Sequence, residues 1–421
     1  MKILVIGGGG REHALVWKLK QSPKASQLFC APGNAGIASL ATCVPIKASD
    51  QDALLDFAKK EGIALTVVGP DDALAAGIVD KFQAAGLRIF GPTKAAARLE
   101  SSKAFAKEFM ERHGIPTALS RTFEDSAEAQ RYVQSLPKPV VIKADGLALG
   151  KGVIIAETPW DAALAIHQIM DEGKFGDAGK RVVIEEYLEG IECSIHALVD
   201  GHDYVLFPGA QDHKRALDGD QGLNTGGMGT FSPSKALTAD LATDVRTEIM
   251  NRFIAGLEKD GLDYRGMLFP GLMITRGGIK VLEFNCRFGD PETQVLLPRL
   301  DTDLVDLLEA TIDGKLGKNQ VRWTPQAAVC VIMASSGYPS SYPTGKPITG
   351  LEKVDDDVLV FHAGTRRDGD QLVTSGGRVL GVTGRGSNLS DARERAYAAV
   401  NVIAFEGCHF RTDIATKGSG I

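Results

Sequence analysis

Two oxygen-bearing side chains, Glu283 and Asn285, stand two residues apart in the apolar segment VLEFN. Because successive side chains of a strand point to opposite faces, both face the same side. A carboxylate and an amide oxygen suit Mg²⁺ that bridges substrate phosphates, and the metal would offset the cost of burying a glutamate. The alternative is a salt bridge at the strand end. Arg287 shares this face if the strand continues, and Asp290 lies in the turn before a helix.

A lysine late in a predicted strand precedes a glycine loop in KADGLALGKGV, residues 143–153. Lys143 can reach nucleotide phosphates as a point charge, or it can be an edge lysine that extends into solvent. Gly146, Gly150 and Gly152 give the loop conformational freedom. The P-loop pattern GxxxxGK[ST] is absent from the sequence, so a nucleotide site here belongs to a different architecture.

Acidic residues follow another predicted strand in VIEEYLEGIECS. Glu185, Glu186 and Glu192 form either a solvated rim or a hinge that binds adenine through its backbone and ribose through a carboxylate. QDHKR (211–215) and GLNTGGMGTFSP (222–233) add a polar segment and a second glycine loop, for which a mobile surface loop is the alternative.

The opening stretch VIGGGGREHA resembles the phosphate loop of dinucleotide-binding folds but fails both of its tests. Glu12 stands where the third glycine of GxGxxG belongs, and QLFCAP, the next strand, ends without an acid for the ribose hydroxyls. The loop can still bind a phosphate through its N–H groups, or it is a plain tight turn. PGNAG (32–36) and GPDDALAAG (69–77) are two more strand-end loops, which together predict a phosphorylated small ligand.

Composition limits the class of protein. The chain has 421 residues, 44% hydrophobic content and a formal net charge of −6, with no long basic run. These values predict a multidomain globular protein and disfavour nucleic acid as a partner. No apolar run is long enough to span a bilayer, and Met1 leads directly into a strand pattern rather than a signal peptide. Six scattered cysteines predict reduced thiols and a cytoplasmic location.

The elements that must position these residues fall into three groups. Strand and helix patterns alternate over residues 1 to about 100, with DDALAAGIVDKFQAAG as one of the helical segments, which predicts a doubly wound parallel sheet. The helix in SSKAFAKEFMERHGIP opens a second domain, in which the segments around Lys143 form a hairpin-like pair and residues 236–259 form a long helix. From about Ala327 the pattern changes to that of a separate α+β domain.

In this order, the motifs GGREHA, PGNAG, SSKAFAKEF, KADGLALGKGV, EEYLEG, QDHKR, NTGGMG and LEFNCRFGDPETQ resemble those of the phosphoribosylamine–glycine ligase family of ATP-grasp enzymes. The resemblance extends to FHAGT and TSGGRVLGVT near the C-terminus, and RFGDPETQ is its most specific part. It implies ATP-dependent ligation of glycine to 5-phosphoribosylamine through a glycyl phosphate, in purine biosynthesis. It also implies Mg²⁺ or Mn²⁺, and we expect a cytoplasmic monomer that binds only small molecules.

The resemblance also implies an architecture and residue roles. It predicts an N-terminal substrate domain (1–101), an ATP-grasp domain (102–322, with a lid at about 122–190) and a C-terminal α+β domain (323–421). The expected ATP-binding residues are Lys103, Lys143, Gly150, Lys151, Gly152, Glu185, Glu186, Leu188 and Glu192, and the expected metal ligands are Glu283 and Asn285. The expected catalytic residues are Asp212, Lys214, Arg287 and Asp290, and the expected phosphate site of phosphoribosylamine is Gly9, Gly10, Asn34 and Gly36.

The sequence departs from the family pattern at four positions, which are Asp71, Ile191, Leu223 and Pro270. Pro270 within a strand predicts an edge or a bulge.

Three other functions compete with this interpretation. A biotin-dependent carboxylase subunit is disfavoured by RFGDPETQ, a nicotinamide oxidoreductase by the failed fingerprint, and a catalytically inactive nucleotide-binding protein by the presence of Lys143, Glu283 and Asn285.

Overall fold

The computed structural model of the chain describes residues 1–137, 139–148, 152–318 and 320–416. One apolar core joins its three parts, because Val5, Val295 and Cys330 belong to the same buried cluster. All six cysteines have free thiols. In the part of the chain that is described, no helix has both the length and the apolar character needed to cross a membrane.

The N-terminal part is a five-stranded parallel sheet in the order β3-β2-β1-β4-β5, which confirms the predicted doubly wound fold. Its first strand is buried nearly throughout, as a sheet covered on both faces requires. The elements are β1 (Lys2–Gly7), α1 (Gly10–Leu19), β2 (Gln27–Pro32), β3 (Thr42–Cys43), α2 (Gln51–Glu61), β4 (Leu65–Val68), α3 (Asp71–Ala75), α4 (Ile78–Ala84), β5 (Ile89–Phe90) and α5 (Lys94–Ser101).

One helix predicted for this part is wrong. The segment DDALAAGIVDKFQAAG reads as one continuous helix, but the structure has two, α3 and α4. Gly77 lies between them with φ of 93°, a left-handed conformation that glycine adopts without steric cost. The apolar periodicity runs on through this turn, so it does not reveal the break.

The middle of the chain begins with a four-stranded antiparallel sheet in the order β6-β9-β7-β8. β7 and β8 pair antiparallel, which confirms the predicted hairpin-like pair around the glycine loop. Two helices bury their apolar faces with this sheet in one cluster. The elements are α6 (Lys103–Arg112), β6 (Ser120–Phe123), α7 (Ser126–Gln134), β7 (Val140–Ala144), β8 (Val153–Ala156), α8 (Pro159–Ile166) and β9 (Val182–Glu186).

A second sheet follows, with β17 at its centre: β10 and β11 pair along one side of it, and β18 pairs along the other. Its elements are β10 (Ile191–Ser194), β11 (Ala197–Val199), β12 (Tyr204–Leu206), α9 (Ala239–Asp244), α10 (Asn251–Asp260), β17 (Gly266–Thr275) and β18 (Gly278–Asn285). Pro270 lies in this central strand, so the expected edge position is wrong. The expected bulge is present beside it, as a register shift between Gly271 and Leu272.

The third sheet, in the order β13-β16-β19-β23-β20, combines strands from two distant parts of the chain. β16 pairs with β19, and Phe231 of β16 is buried in the cluster of the C-terminal strands. The strands of the C-terminal part therefore share a sheet and a hydrophobic cluster with β16. The remaining elements are β13 (Gln211–Asp212), β14 (Arg215–Leu217), β15 (Gln221–Asn224), β16 (Gly229–Ser232), α11 (Thr293–Leu296), α12 (Leu304–Ile312), β19 (Ala327–Ala334), β20 (Leu359–His362), β21 (Thr365–Asp368), β22 (Gln371–Thr374), β23 (Arg378–Gly386) and α13 (Leu389–Val400).

Candidate active site

The two predicted metal ligands lie at the end of β18. Glu283 and Asn285 are two residues apart and share one face of the strand. The Asn285 side-chain nitrogen donates to the carbonyl oxygen of Phe269 (3.3 Å), and its Oδ1 accepts from Nη2 of Arg287 (3.0 Å). β18 ends at Asn285, so Arg287 does not continue its face. The guanidinium nevertheless turns back onto the amide and fixes which way its oxygen points.

Cations from three other elements surround Glu283. Burial alone would raise the pKa of its carboxyl, but the charges of Lys214, Lys143 and Lys103 hold that pKa below its ordinary value. Arg287 acts in the same direction. The structure therefore brings Lys103, Lys143 and Lys214, which the sequence separates widely, around the Glu283 carboxylate and keeps that carboxylate ionised.

The two lysines predicted to bind ATP phosphates are both anchored by backbone carbonyl groups. Lys103 is the first residue of α6, and its ammonium donates to the carbonyl oxygen of Gly146 (3.3 Å). The Lys143 ammonium donates to the carbonyl oxygen of Leu282 (3.2 Å). Burial lowers the pKa of Lys103, and the charge of Glu283 partly restores it. Both ammonium groups thus stand beside β18 and can act as point charges toward an anionic ligand.

Lys107 is a third lysine of this cluster, buried like Lys143, and it was missed at the sequence level. Its ammonium lies 3.0 Å from Oε2 of Glu185, and Lys143 lies 2.9 Å from Oε1 of the same carboxylate. It also donates to Oγ1 of Thr117 (2.8 Å), and burial lowers its pKa to about 8. One signal was available: Lys107 lies four residues after Lys103, hence on the same face of α6.

The predicted adenine hinge follows β9. The Glu185 side chain points inward to the two lysines, whereas Glu186 is exposed and accepts a hydrogen bond from the backbone of Leu119 (2.9 Å). The chain leaves the sheet at 187–189, where Leu188 is half-buried. Glu192 lies on β10, with its Oε2 2.7 Å from the Lys214 ammonium. The predicted ribose acid is therefore in contact with a predicted catalytic lysine.

Part of the expected ATP-binding loop, Gly150 and Lys151, lies outside the described residues. Gly152 is described and directly precedes β8. A Cβ atom at this position would lie 2.7 Å from Cβ of Ala148. A side chain at position 152 would therefore force the two halves of the loop apart.

Asp212 and Glu292 are two further carboxylates of the candidate site. Burial raises the pKa of Asp212 to about 8; Lys214 opposes the shift and Glu292 adds to it. Burial likewise raises the pKa of Glu292, whose Oε1 accepts from the Ser194 hydroxyl (3.4 Å). Glu292 was also missed, although it belongs to the quoted motif RFGDPETQ. Such a pair of carboxylates favours a ligand that carries positive charge.

Asp290 is held on both of its oxygens. Gln294 donates to Oδ1 (2.8 Å) and Arg378 donates to Oδ2 (2.8 Å). Burial would raise the pKa of Asp290, but the charges of Arg378 and Arg11 hold it below its ordinary value. A Cβ atom at Gly9 would lie 3.7 Å from Oδ2 of Asp290. The opening glycine loop therefore lies beside Asp290.

The opening loop contains an anion of its own. Gly9 precedes α1, and its N–H donates to Oε2 of Glu12 (2.6 Å), while Nε of Arg11 lies 2.6 Å from Oε1. A Cβ atom at Gly69 would lie 2.0 Å from the same carboxylate. Glu12 therefore occupies the helix N-terminus, where a dinucleotide fold would hold its pyrophosphate. This explains physically why the fingerprint fails.

Asn34 and Gly36 join the opening loop to the C-terminal strands. The side-chain nitrogen of Asn34 donates to the carbonyl oxygens of Gly8 (2.9 Å) and His362 (2.7 Å), and its Oδ1 accepts from the N–H of Gly36 (3.0 Å). His13 accepts a hydrogen bond from the N–H of His362 through Nδ1 (2.7 Å). These partners engage both ends of the Asn34 amide as well as the N–H of Gly36.

This fold, with its lysines around a strand-end glutamate, is that of an ATP-dependent ligase of the ATP-grasp class. The model "Phosphoribosylglycinamide synthetase, ATP-grasp (A) domain" matches residues 101–293, which carry the cluster. Models for the N domain and the C domain of the same synthetase match residues 1–100 and 328–417. The chain belongs to the phosphoribosylglycinamide synthetase family.

Full-length relatives agree. The chain is 51% identical to phosphoribosylamine--glycine ligase of Chlorobaculum tepidum, with 99% of this chain and 100% of the relative covered. It is 52% identical to the ligase of Ralstonia nicotianae, with 99% of each covered. The crystal structure of phosphoribosylamine--glycine ligase from Thermotoga maritima has a TM-score of 0.85 at 34% identity and covers 98% of this chain and 100% of that chain. Biotin carboxylase of Campylobacter jejuni (TM-score 0.75, 15% identity, 97% and 92% covered) shares the fold alone. The expected family and fold class are confirmed.

Proposed function

We propose that this chain joins glycine to 5-phosphoribosylamine with ATP, forming glycinamide ribonucleotide, ADP and phosphate in purine biosynthesis. The observation that carries the proposal is the convergence of Lys103, Lys143, Lys214 and Arg287 on Glu283. The family membership of the whole chain supports it, together with the name that its full-length relatives share.

The reaction has two steps. A carboxylate oxygen of glycine attacks the γ-phosphorus of ATP, ADP leaves, and a glycyl phosphate forms. The amine of phosphoribosylamine then attacks the glycyl carbonyl carbon, phosphate leaves, and the amine gives up a proton. Both steps depend on positioning and on neutralising phosphate charge rather than on a protein nucleophile. Lys103 and Lys143 neutralise that charge from two sides.

A divalent cation, Mg²⁺ or Mn²⁺, fits the end of β18. Among the described residues, no group of three or more His, Cys, Asp and Glu side chains could hold a metal. Glu283 and Asn285 provide two oxygens, which suits a metal that takes its other ligands from phosphates and water. When bound, the cation would neutralise charge on the phosphate oxygens of ATP. Glu283 is ionised and able to bind it because the neighbouring lysines lower its pKa.

For ATP itself, we assign the phosphates to Lys103, Lys143 and the loop that includes Gly150, Lys151 and Gly152. Adenine lies against the segment from Glu186 to Leu188, where the chain leaves the sheet, and the ribose hydroxyls contact Glu192. Glu185 contributes indirectly, because its carboxylate forms ion pairs with the ammonium groups of Lys143 and Lys107. Glu192 would divide its two oxygens between the ribose and Lys214.

The glycine ammonium fits between Asp212 and Glu292, since a cation there would offset the burial that raises both pKa values. Lys214 and Arg287 then face the glycine carboxylate and the transferring phosphate. Asp290 lies toward the second substrate, beside Gly9.

The phosphate of phosphoribosylamine lies at the start of α1 and in the segment 34–36. The N–H of Gly9 is engaged by Glu12, so the donors we assign are those of Gly10 and the next residue of the helix, which lack acceptors within it. Asn34 and Gly36 line the other side of the site, where the hydrogen bond from the Gly36 N–H to Oδ1 of Asn34 holds the segment in shape. Neither residue offers its side chain, because glycine has none and the Asn34 amide is already bonded.

The enzyme of this proposal is a monomer that binds only small molecules. Its three domains are residues 1–101, 102–322 and 323–421. The lid is the segment at about 122–190, which contains the β7–β8 hairpin and its glycine loop. We place the enzyme in the cytoplasm, which suits its six free thiols.

A phosphate-release assay that omits one substrate at a time tests the function. Release that requires ATP, glycine and phosphoribosylamine together supports it, and mass spectrometry should find glycinamide ribonucleotide. The Asp212→Asn variant should raise KM for glycine by about tenfold or more, because half of the ammonium site loses its charge. Phosphate release that is independent of phosphoribosylamine, or a different product, would overturn the proposal.

A further inference from the structure

Arg378, at the start of β23, reaches out of the C-terminal strands to two segments of the active site. Its guanidinium donates to the carbonyl oxygens of Gly226 (2.5 Å) and Asp290 (2.9 Å) and to Oδ2 of Asp290 (2.8 Å). The Tyr338 hydroxyl accepts from the N–H of Gly226 (3.0 Å). The glycine loop GGMG and the turn GDP are thus held against each other by residues far along the chain.

The two segments held by Arg378 have little room to move. A Cβ atom at Gly227 would lie 2.4 Å from Cδ of Pro291 and 3.7 Å from Oδ2 of Asp212. The loop is therefore wedged between the turn that carries Asp290 and the carboxylate assigned to the glycine ammonium. A displacement of Arg378 would shift both at once.

We propose that Arg378 is a positioning residue for the second substrate: it orients the Asp290 carboxylate toward the opening glycine loop so that Asp290 accepts a hydrogen bond from phosphoribosylamine. This rests on the proposed function. The Asp290 carboxylate can accept from the amine or from a hydroxyl of the sugar. Gln294 and Arg378 fix its two oxygens, and the remaining lone pairs of these oxygens are left to a ligand. Oδ2, the oxygen held by Arg378, is the one that faces Gly9.

Geometry and charge both favour an arginine at this position. Lysine would keep the positive charge but could not donate in a forked arrangement to a carboxylate and to two backbone carbonyls. Asp290 and Arg378 are each only 19% exposed as side chains, so solvent would substitute poorly for the lost bonds. The Arg378→Lys variant should therefore loosen Asp290 while the pocket keeps its net charge.

The test compares the KM for phosphoribosylamine with the KM for ATP in the full-length protein. Arg378→Lys should raise KM for phosphoribosylamine by about tenfold or more and leave KM for ATP within about twofold. Asp290→Asn should do the same. The double variant should be no worse than the more impaired single variant, because both act through one contact.

Arg411→Lys is the matched control. Arg411 is fully buried and also joins the C-terminal residues to a central loop, with ion pairs to Asp220 (3.0 Å) and Asp413 (2.7 Å). We expect it to lower the melting temperature and leave the ratio of the two KM values unchanged. Tyr338→Phe, which removes only the contact to Gly226, is a milder second variant should Arg378→Lys not fold; it should raise KM for phosphoribosylamine and not that for ATP.

Two results would overturn the inference. One is an equal rise of both KM values in Arg378→Lys, or in Tyr338→Phe where that variant replaces it. The other is additive effects of the Arg378 and Asp290 changes, since a general loss of stability predicts addition. Failure of the proposed function looks different, because the unmodified protein would then lack the activity with phosphoribosylamine altogether.

Discussion

The Lys143 ammonium lies 2.9 Å from Oε1 of Glu185, and both side chains are buried. Lys107 neutralises the other oxygen at 3.0 Å, so this carboxylate holds two lysines. Removing one partner of a buried ion pair leaves an uncompensated charge and costs far more than loss of a surface pair. The contact therefore couples Lys143, the lysine that we assign to the phosphates of ATP, to the stability of the folded protein.

Glu185→Gln tests this coupling. We expect KM for ATP to rise by about tenfold and the free energy of unfolding to fall by about 3 kcal/mol, because two buried ammonium groups lose their counter-charge. Initial rates against ATP and urea denaturation measure the two effects. Glu128→Gln, which breaks the exposed pair with Arg121, is the control and should change the free energy of unfolding by about 0.5 kcal/mol or less. Equal behaviour of the two variants would contradict the role of Glu185.

Gly36→Ala tests the junction between the opening loop and the C-terminal strands. A Cβ atom at Gly36 would lie 2.4 Å from Cγ of His362 and 2.6 Å from Cε1 of His13. We expect a loss of about 1–3 kcal/mol in the free energy of unfolding, since rings must move from a packed site. KM for phosphoribosylamine should rise more than KM for ATP.

Gly277→Ala is the matched control for that change. A Cβ atom at Gly277 would approach only Oγ1 of Thr275, at 3.7 Å, which is ordinary contact. It should leave both KM values and the melting temperature essentially unaltered. If Gly36→Ala proved equally silent, the assignment of the phosphate site to this loop would lose its support.

Stability should depend on His196 in acid. Its ring is fully buried, and neither ring nitrogen has a hydrogen-bond partner among the described residues. Burial, together with the charge of Arg287, lowers its pKa from 6.5 to about 3. Between these values the unfolded chain binds a proton that the folded protein does not, so the free energy of unfolding falls as pH falls through this window.

His196→Asn should remove up to about one proton from that dependence, as measured by urea denaturation at a series of pH values from about 7 down to 4. His202, which is exposed, provides the control variant His202→Asn, which should keep the full slope. An unchanged slope in His196→Asn would show that His196 is not the group that titrates.

The sequence predicted those parts of the site that depend on a local pattern. Glu283 and Asn285 follow from the two-residue period of a strand, and Lys143 from its place before a glycine loop. The failed fingerprint pointed to Glu12, but only the structure shows that its carboxylate accepts a hydrogen bond from the N–H of Gly9 at the start of α1. In each case the pattern gives the residue, and the contact gives its role.

Other features could not be predicted because no local pattern carries them. Arg378 bonds to residues about 90 and 150 positions earlier in the chain, and such contacts depend on the full topology. β13 and β16 have two and four residues, too few for their membership of the C-terminal sheet to be recognised. Gly77 breaks a helix although an isolated glycine costs a helix only about 1 kcal/mol, so periodicity continues through it.

Glu283→Gln tests the metal site without changing the size of the side chain. We expect the affinity for ATP in the presence of Mg²⁺ to fall by about tenfold or more, because an amide replaces the charged ligand. Affinity for ATP in EDTA should hardly change or should rise, since four cations then face the phosphates with one anion fewer. Titration calorimetry of ATP with and without Mg²⁺ measures both values independently of turnover.

The comparison of the two titrations separates a metal ligand from a purely electrostatic residue. If Glu283 only balanced the lysines, its removal would strengthen ATP binding with and without Mg²⁺ alike, because the same repulsive charge is lost in both. If it binds the metal, the two affinities should move apart. Glu258→Gln, on the exposed side of α10, controls for the loss of one negative charge on the protein and should leave both titrations unaltered.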